Sequence, residues 1–537
     1  MRGLFSSVGV PRVGRSMFNL SHEKKFDVNM FTRYPIMVED CIPGDVWRIS
    51  NEKIFRMNPT FAPILHEVNV FEHYFFVPYR ILWDKWEEFI SGGEDGQFVT
   101  GIPLWKPTND AQCGIGTLWD LCGYEAGLPA SAWNDDNAPH DLVRRAWVKI
   151  YNDYYRDQNL QAELDVNNLN NGWLYARAWR KDYFTSALPW QQRGISPGIP
   201  LEGYGQLDFS AAESGFDVIR SFWSTSMPTP GSSEIQGAAA GSGSIIPLNI
   251  NAANTGQTGA GPIGPRKQDL EKGVVNFGGS GAGGIDIADL RLAIQVQRWM
   301  ERNARTGVRY TEFLQSHFRS SPRDDRLDRP EYIGGSRAPI IVSEVLQTSA
   351  SGSGNTPQGN LAGHGLAVDR KRIGTYRVRE HGVIIGIMTI MPQPTYSQGV
   401  ERMWLHRDKF DFPFPLFAHL SERPIYKKEL KVSGTATDNE AFGFQGMYDE
   451  YRHRRSTVHG LLKPGQILDY WTLSRSFNTA PNLNADFIRV SIAERNNIHS
   501  RILAFPGAGF GVMNFGNILH VLRPLPRVSI PGMVDHF

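Results

Sequence analysis

The sequence is poor in cysteine, in net charge and in long apolar runs. Its three cysteines, Cys41, Cys113 and Cys122, are an odd number with no C-x-x-C spacing. Neither a disulfide framework nor a cysteine-based zinc site is expected, and a reducing compartment suits the chain. No stretch of about 18 apolar residues occurs, which excludes an ordinary membrane-spanning helix. The opening MRGLFSSVGVPRVGRSMFNLSHEKK holds no apolar block of signal-peptide length, so the expectation is a cytosolic chain that is not exported by itself. Net charge is only +1, from 56 Lys and Arg against 55 Asp and Glu. A chain that neutralised a packed polyanion alone would need a large cationic excess, so most counter-charge for any such partner must come from elsewhere. The strings H-E-x-x-H, G-x-S-x-G and G-x-x-x-x-G-K-[ST] are all missing, which removes the most readable hydrolase and nucleotide signatures.

What is present is backbone punctuation and apolar mass. The chain has 54 Gly and 33 Pro among 537 residues, which favours short strands joined by long loops over a helix bundle. With 41% hydrophobic and 12% aromatic residues it can bury a large core, and global disorder is excluded. A mainly β protein with insertions is the expectation.

Residues 1–25 carry Arg2, Arg12, Arg15, Lys24 and Lys25 against Glu23 alone, and read as an extended basic arm, either a frayed terminus or a segment facing nucleic acid. Residues 21–49 alternate and are broken by Pro35, Pro43 and Gly44, which mark turns between strands. Residues 66–77, HEVNVFEHYFFV, predict a core strand. Trp83, Trp86, Phe89 and Ile90 predict a short amphipathic helix ending at Gly92. Residues 105–190 read as a helical, Trp-rich insertion that includes LVRRAWVKIYNDYYRDQNL from Leu142. Residues 231–284 hold 14 Gly in 54 positions and read as a long, weakly structured insertion of about 225–285. Residues 347–365 read as a second surface loop. A well-buried helix is expected from Asp286 to Gly307. Residues 372–391 and 518–522 read as strands, and the proline-rich 523–537 as an extended tail lying on a neighbour.

Gly279, Gly281 and Gly284 fit G-x-G-x-x-G, but the preceding strand is too short and no βαβ unit surrounds it, so a dinucleotide site is rejected. His66 and His73, seven apart on a strand, point to opposite faces and do not form a metal pair. No metal site and no cofactor are expected. Trp133 with Asp135 and Asp136, and Trp83 with Asp84, Glu87 and Glu88, admit a glycosidase reading, yet core tryptophans and exposed acids explain the same letters. Two basic runs are better candidates for holding a nucleic acid, whose phosphates need cations and whose unpaired bases need rings. In 370–379, strand alternation sends Arg377 and Arg379 to one face and Tyr376 and Val378 to the other. The second run, 451–463, carries Arg452, Arg454, Arg455 and Lys463. A solvated or subunit-bridging face is the alternative for both runs. In 319–329 the arginines sit among Asp324, Asp325 and Asp328, which favours salt bridges.

Residues 294–335 read IQVQRWMERNARTGVRYTEFLQSHFRSSPRDDRLDRPEYIGG. This wording resembles the major capsid proteins of microviruses, the small single-stranded DNA phages, and among them the gokushovirus branch. The likeness extends to SHEKK, to FFVPYRILWDKWEEFISGGEDG, to TPQGNLA, to YSQGVERMWLHRDKFDF, and on through PNLNADFI. It spans roughly residues 21–488 in family order, and is weak over 105–190 and 231–284. The resemblance implies one eight-stranded antiparallel jelly-roll barrel over 26–537, with sixty copies closing a T=1 icosahedral shell around a circular single-stranded DNA genome. It also implies an internal scaffolding protein during assembly, a small basic DNA-binding protein, a pilot or minor capsid protein and a host surface receptor. Assembly would take place in the host cytoplasm, and the protein would end in the virion. The glycine-rich insertion, marked by Gly237, Gly256 and Gly264, would form a surface protrusion at the threefold axes used in host recognition. No catalytic residue is implied. The rival reading is a carbohydrate-active or carbohydrate-binding β protein.

Overall fold

The computed structural model describes residues 15–91, 100–194, 234–238, 245–249, 294, 296–298, 300–301, 328–346, 361–420 and 422–528. The chain divides into two compact units, Met1–Gly194 with Met300–Phe537, and Ile195–Trp299. In chain order the strands are β1 (Ser16–Asn19), β2 (His22–Val28), β3 (Arg33–Cys41), β4 (Val46–Met57), β5 (Val68–Pro78), β6 (Glu234–Ala238), β7 (Ile245–Asn249), β8 (Glu331–Pro339), β9 (Ile341–Leu346), β10 (Leu361–Arg377), β11 (Gly382–Pro392), β12 (Thr395–Tyr396), β13 (Arg423–Tyr426), β14 (Ala441–Gln445), β15 (Ser456–Thr457) and β16 (Gly511–Arg523).

Two antiparallel sheets organise the first unit. The larger has the order β1-β16-β4-β10-β9, with β2 also paired to β16, and the smaller has the order β3-β11-β5-β8. The logic of the larger sheet is visible in β4, VWRISNEKIFRM. Its period of two turns Trp47, Ile49, Phe55 and Met57 inward and leaves Arg48, Glu52 and Arg56 exposed. The inward side chains meet Val70, Tyr74, Phe76, Ile384, Met388 and Ile390 of the smaller sheet in one apolar core, so the two sheets form a sandwich. No closed barrel forms among the described residues.

The smaller sheet is covered on both sides. Every residue of β11, GVIIGIMTIMP, is buried, which explains its unbroken apolar sequence. Its second face, with Phe75, Val77, Ile385 and Ile387, packs on Trp105, Trp119 and Trp147 from the tryptophan-rich segment. That segment carries α2 (Leu118–Leu121) and α3 (Leu142–Ile150), and follows α1 (Trp86–Ser91). Asp141, just before α3, binds Arg144 at 2.5 Å and Arg145 at 2.7 Å, placing a carboxylate where the helix N-terminus favours one. A third apolar cluster joins Phe184, Tyr396, Ile425, Leu430, Phe442 and Phe487.

Several expectations are corrected. The basic arm does not reach Lys25: from Ser16 the chain is paired in the larger sheet, and the Lys24 ammonium donates to the Pro35 and Leu121 carbonyls. Residues 372–391 are strand as expected, divided between β10 and β11 by a turn from Arg377 to Gly382. Residues 361–365 are strand rather than loop, paired with β9. The helix from Leu142 gives way to a π-helical turn at Tyr151–Tyr155, and Arg156 is extended. The rest of 105–190 is mostly irregular, held by short turns rather than helices. Ile294, expected to be well buried in its helix, is exposed. Arg523 closes β16 instead of opening a tail. Residues 1–14, Gly92, the G-x-G-x-x-G glycines, 347–360 and 529–537 lie outside the described residues.

Two histidines, the half-buried His73 and the buried His499, make stability depend on pH. His73 on β5 meets the Tyr155 hydroxyl at 2.8 Å, and His499 lies against Phe510. Burial, with Arg177 and Arg495 adding to it, pushes both imidazoles down to about 4. The unfolded chain takes up these protons below pH ~6.5 while the folded one refuses them, so this stabilisation is complete above ~6.5 and is lost as pH falls toward 4. The expected loss is on the order of 2–3 kcal/mol per histidine across that window. Urea midpoints of His73→Gln and His499→Gln should each vary less with pH than those of the parent; slopes equal to the parent's would refute this.

Candidate nucleic-acid interface

The sequence of β10, LAGHGLAVDRKRIGTYR, concentrates cations near its end, and its register against β4 decides where they point. Arg370 sits opposite Glu52, Arg372 opposite Ser50, Thr375 opposite Arg48 and Arg377 opposite Val46. A bulge between Arg372 and Gly374 shifts the alternation by one residue, so arginines on either side of it reach the same outward face. Asp369 shares the run, but alternation turns it inward to Lys53, 3.2 Å away. The acid is thereby withdrawn and Arg370 is left on the surface.

The outcome is a strip on the outer face of the larger sheet. Arg48, Arg56, Arg370, Arg372 and Arg377 are all exposed, and His520 of β16 lies opposite Arg48. Glu52 is the acid exposed on β4 within the strip. The expected alternation is found: Arg377 and Arg379 are exposed, Val378 is buried and Tyr376 is half-buried. The Tyr376 ring lies 5.1 Å from Phe76 and its hydroxyl donates to Glu331 at 2.8 Å, so it is not a free stacking surface. The exposed large apolar residues on this sheet, Met17, Ile341, Val345, Leu346, Leu366, Val368 and Val512, include no aromatic ring. The strip is therefore suited to phosphates, which position a strand without reading its bases. Arg48 and Arg56 were not reachable from charge runs, since each stands alone in β4; the period-two alternation was the signal that could have found them.

The second basic run is built differently. Arg452 binds Asp449 at 2.5 Å and Arg454 binds Glu401 at 2.8 Å. Arg455 donates to the Glu429 carbonyl at 2.6 Å and the Gly399 carbonyl at 3.0 Å. Burial lowers the Arg455 pKa, against the pull of Glu401 and Glu429. Arg402–Glu429 at 3.0 Å and Arg423–Glu450 at 2.5 Å complete a network beside a small, open cleft that Tyr183, Phe184 and His453 line. These cations are committed to their own carboxylates and carbonyls. Lys463 is half-buried nearby in sequence.

The remaining candidates are placed as follows. Gly237 lies in the β6–β7 hairpin opposite Ile246, while Gly256 and Gly264 lie outside the described residues. Asp328 binds Arg80 at 3.1 Å and Arg329 lies 4.8 Å from the Tyr154 ring. Asp135 is held by Lys106, Trp133 packs 4.7 Å from Trp119, and Trp83 packs 5.4 Å from Phe89. The tryptophans of the glycosidase reading are thus packed against other rings. His66 donates from Nε2 to the Gln393 carbonyl at 2.6 Å. Among the described residues no cluster of three or more His, Cys, Asp or Glu could hold a metal ion, and no helix is long and apolar enough to cross a membrane.

Comparison with known proteins gives a family match over nearly the whole chain. The family model described as capsid protein (F protein) matches residues 6–533. Capsid protein VP1 of Chlamydia phage 1 is 32% identical, with 99% of this chain and 98% of that protein covered. Capsid protein VP1 of Bdellovibrio phage phiMH2K is 33% identical, covering 90% and 89%. Capsid protein VP1 of Spiroplasma virus 4 is 29% identical, covering 98% and 97%.

Proposed function

We propose a function that proceeds from one premise: this chain belongs to the phage capsid F protein family. It is a non-enzymatic major capsid protein whose copies, sixty to a shell, close a T=1 particle around circular single-stranded DNA. The antiparallel sandwich serves as the jelly-roll frame of that shell, and the glycine-rich insertion as an outward, host-recognising protrusion. Scaffolding, pilot and small basic DNA-binding proteins complete the particle, which is put together in the host cytoplasm. The near-neutral charge of the chain supports a shared task of neutralisation, with the wall contributing a local strip rather than a cationic mass.

One observation carries the genome-facing part of this reading: five exposed arginines, Arg48, Arg56, Arg370, Arg372 and Arg377, on one sheet face from which Asp369 is turned away. The test is particle purification by sedimentation with imaging, reading nucleic-acid absorbance across the gradient. Reversing Arg370, Arg372 and Arg377 to Glu should leave shell yield unchanged, lower retained DNA, and shrink its fall between 50 and 200 mM salt by about tenfold or more, since each phosphate contact accounts for roughly half a decade of that fall. Unchanged DNA content and salt dependence would remove the strip from the genome's surroundings. Reversal of Arg454 and Arg455 is the contrast, expected to harm folding or shell yield through the Glu401–Glu429 network before it changes DNA content. The same images test the protrusion, which a smooth outer surface would exclude.

A further inference from the structure

Residues 404–420, WLHRDKFDFPFPLFAHL, place on the surface what a core normally takes. Trp404 is 73% exposed, Phe410 55%, Phe412 54%, Phe414 44%, Leu416 81% and Leu420 56%. Scattered exposed apolar residues are ordinary, but a run of this kind marks a contact surface.

The run is not a loose loop. It is folded into successive 3-10 turns at Arg402–Trp404, Lys409–Asp411 and Pro415–His419. The Asp411 carboxylate accepts from the backbone N–H of Arg407 at 2.9 Å and of Asp408 at 3.1 Å, and the Asp408 side chain accepts from Lys409 at 2.6 Å. The Phe414 N–H donates to the Tyr448 hydroxyl at 3.2 Å. Phe417 lies 6.1 Å from Phe410 and 6.0 Å from Phe414, and His406 lies 4.8 Å from Phe412 and 6.3 Å from Tyr451. Pro413 and Pro415 fix their own φ. The ridge therefore holds its shape before any partner arrives, which lowers the ordering cost of binding.

Its chemistry selects the partner. At roughly 200 Å² for each large side chain, the six exposed residues present on the order of 700–800 Å². That matches the ~800 Å² that one partner gives to a stable protein interface. The charges along the ridge, Arg407, Asp408, Lys409 and Asp411, cancel, so it offers no cationic track to a nucleic acid strand. Its two most exposed members besides Trp404 include Leu416, which stacks no base. We infer that residues 404–420 form a docking ridge that packs against a second copy of this chain in the shell. The inference rests on the self-assembly reading and names one surface that performs it.

The test combines a variant with a crosslink. Leu416→Glu with Phe412→Ser, both at exposed positions, should keep the parent's circular dichroism and melting temperature while large assemblies fall at least tenfold by sedimentation. A photo-crosslinking residue at position 416 of the otherwise unchanged chain should give adducts of twice the chain mass under assembling conditions, and this holds the test open should the variant misfold. Shells at parental yield with no crosslinked pair would overturn the inference. Normal shells depleted of DNA would also overturn it and assign the ridge to the genome. A parent chain that forms neither assemblies nor crosslinks would fail the self-assembly reading itself.

Discussion

Glu72→Ala is expected to lower unfolding stability by about 3–5 kcal/mol, because removing one member of a buried ion pair strands the other charge in the core. Lys53 and Glu72 are both fully buried, with Nζ and Oε1 2.5 Å apart. Asn51 donates to Glu72 at 2.6 Å and to the Tyr74 hydroxyl at 3.1 Å, and Ser336 also donates to Glu72. The cluster bridges the two sheets, with Asn51 and Lys53 from β4 and Glu72 and Tyr74 from β5. Lys53→Met combined with Glu72→Leu should recover most of the loss, since apolar replacement of a whole buried pair is often neutral. Urea midpoints of the single and double variants decide the matter; a single variant within about 1 kcal/mol of the parent would refute the role assigned to the pair. The consequence for function runs through Asp369. It reaches the same ammonium, so loss of the cluster should also loosen the register that sets Arg370 outward.

The second large effect belongs to Arg33, fully buried on β3 with no ion pair to a carboxylate among the described residues. Its guanidinium carbon lies 4.6 Å from the Tyr151 ring, 4.9 Å from Tyr155, 5.0 Å from Trp147 and 5.6 Å from Tyr175. Nε donates to the Tyr175 carbonyl at 3.0 Å. Burial pulls its pKa down to about 10 while the tyrosines oppose this, so the side chain is a cation at neutral pH. This box ties the sandwich to the tryptophan-rich layer. Arg33→Ala should cost about 3–4 kcal/mol from the cavity and the lost cation–π contacts, with faster proteolysis within 156–175. Arg33→Met, which keeps the stem and removes the charge, should cost less. Equal losses in both variants would show that charge matters more than packing, and an Ala variant within about 1 kcal/mol of the parent would discard the box as a tie.

Much of the frame was legible in the sequence. The His66–Val77 stretch became β5, the start of α3 fell at Leu142, and the capsid resemblance matched a family that covers the chain. These are local signals, carried by period, composition and wording. The failures are long-range. Nothing in SMFN or HEKKFDV announces pairing with a strand some five hundred residues away, so Lys24 and Lys25 looked like an arm. Lys53 and Arg33 carry surface letters, and their burial follows from partners on other strands. Arg48 joins Arg370 only through register. The ridge drew no expectation of its own: DFPFPLF has the composition of a core, yet Phe412, Phe414 and Leu416 are exposed.

Strand β16 lies between β4 and the pair β1 and β2, and is made after every other strand among the described residues. During translation β4 therefore waits for its neighbour until residue 511 has emerged, roughly 20–90 s at 5–20 residues per second. The larger sheet gains its β4–β16 pairing only after more than four hundred further residues have been made. A ribosome that stalls before that point releases a fragment with one edge of β4 unpaired and without Met513, Phe515, Leu519 and Val521 in the core. Such fragments are templates for strand-to-strand aggregation, and each one threatens the intact copies being produced beside it.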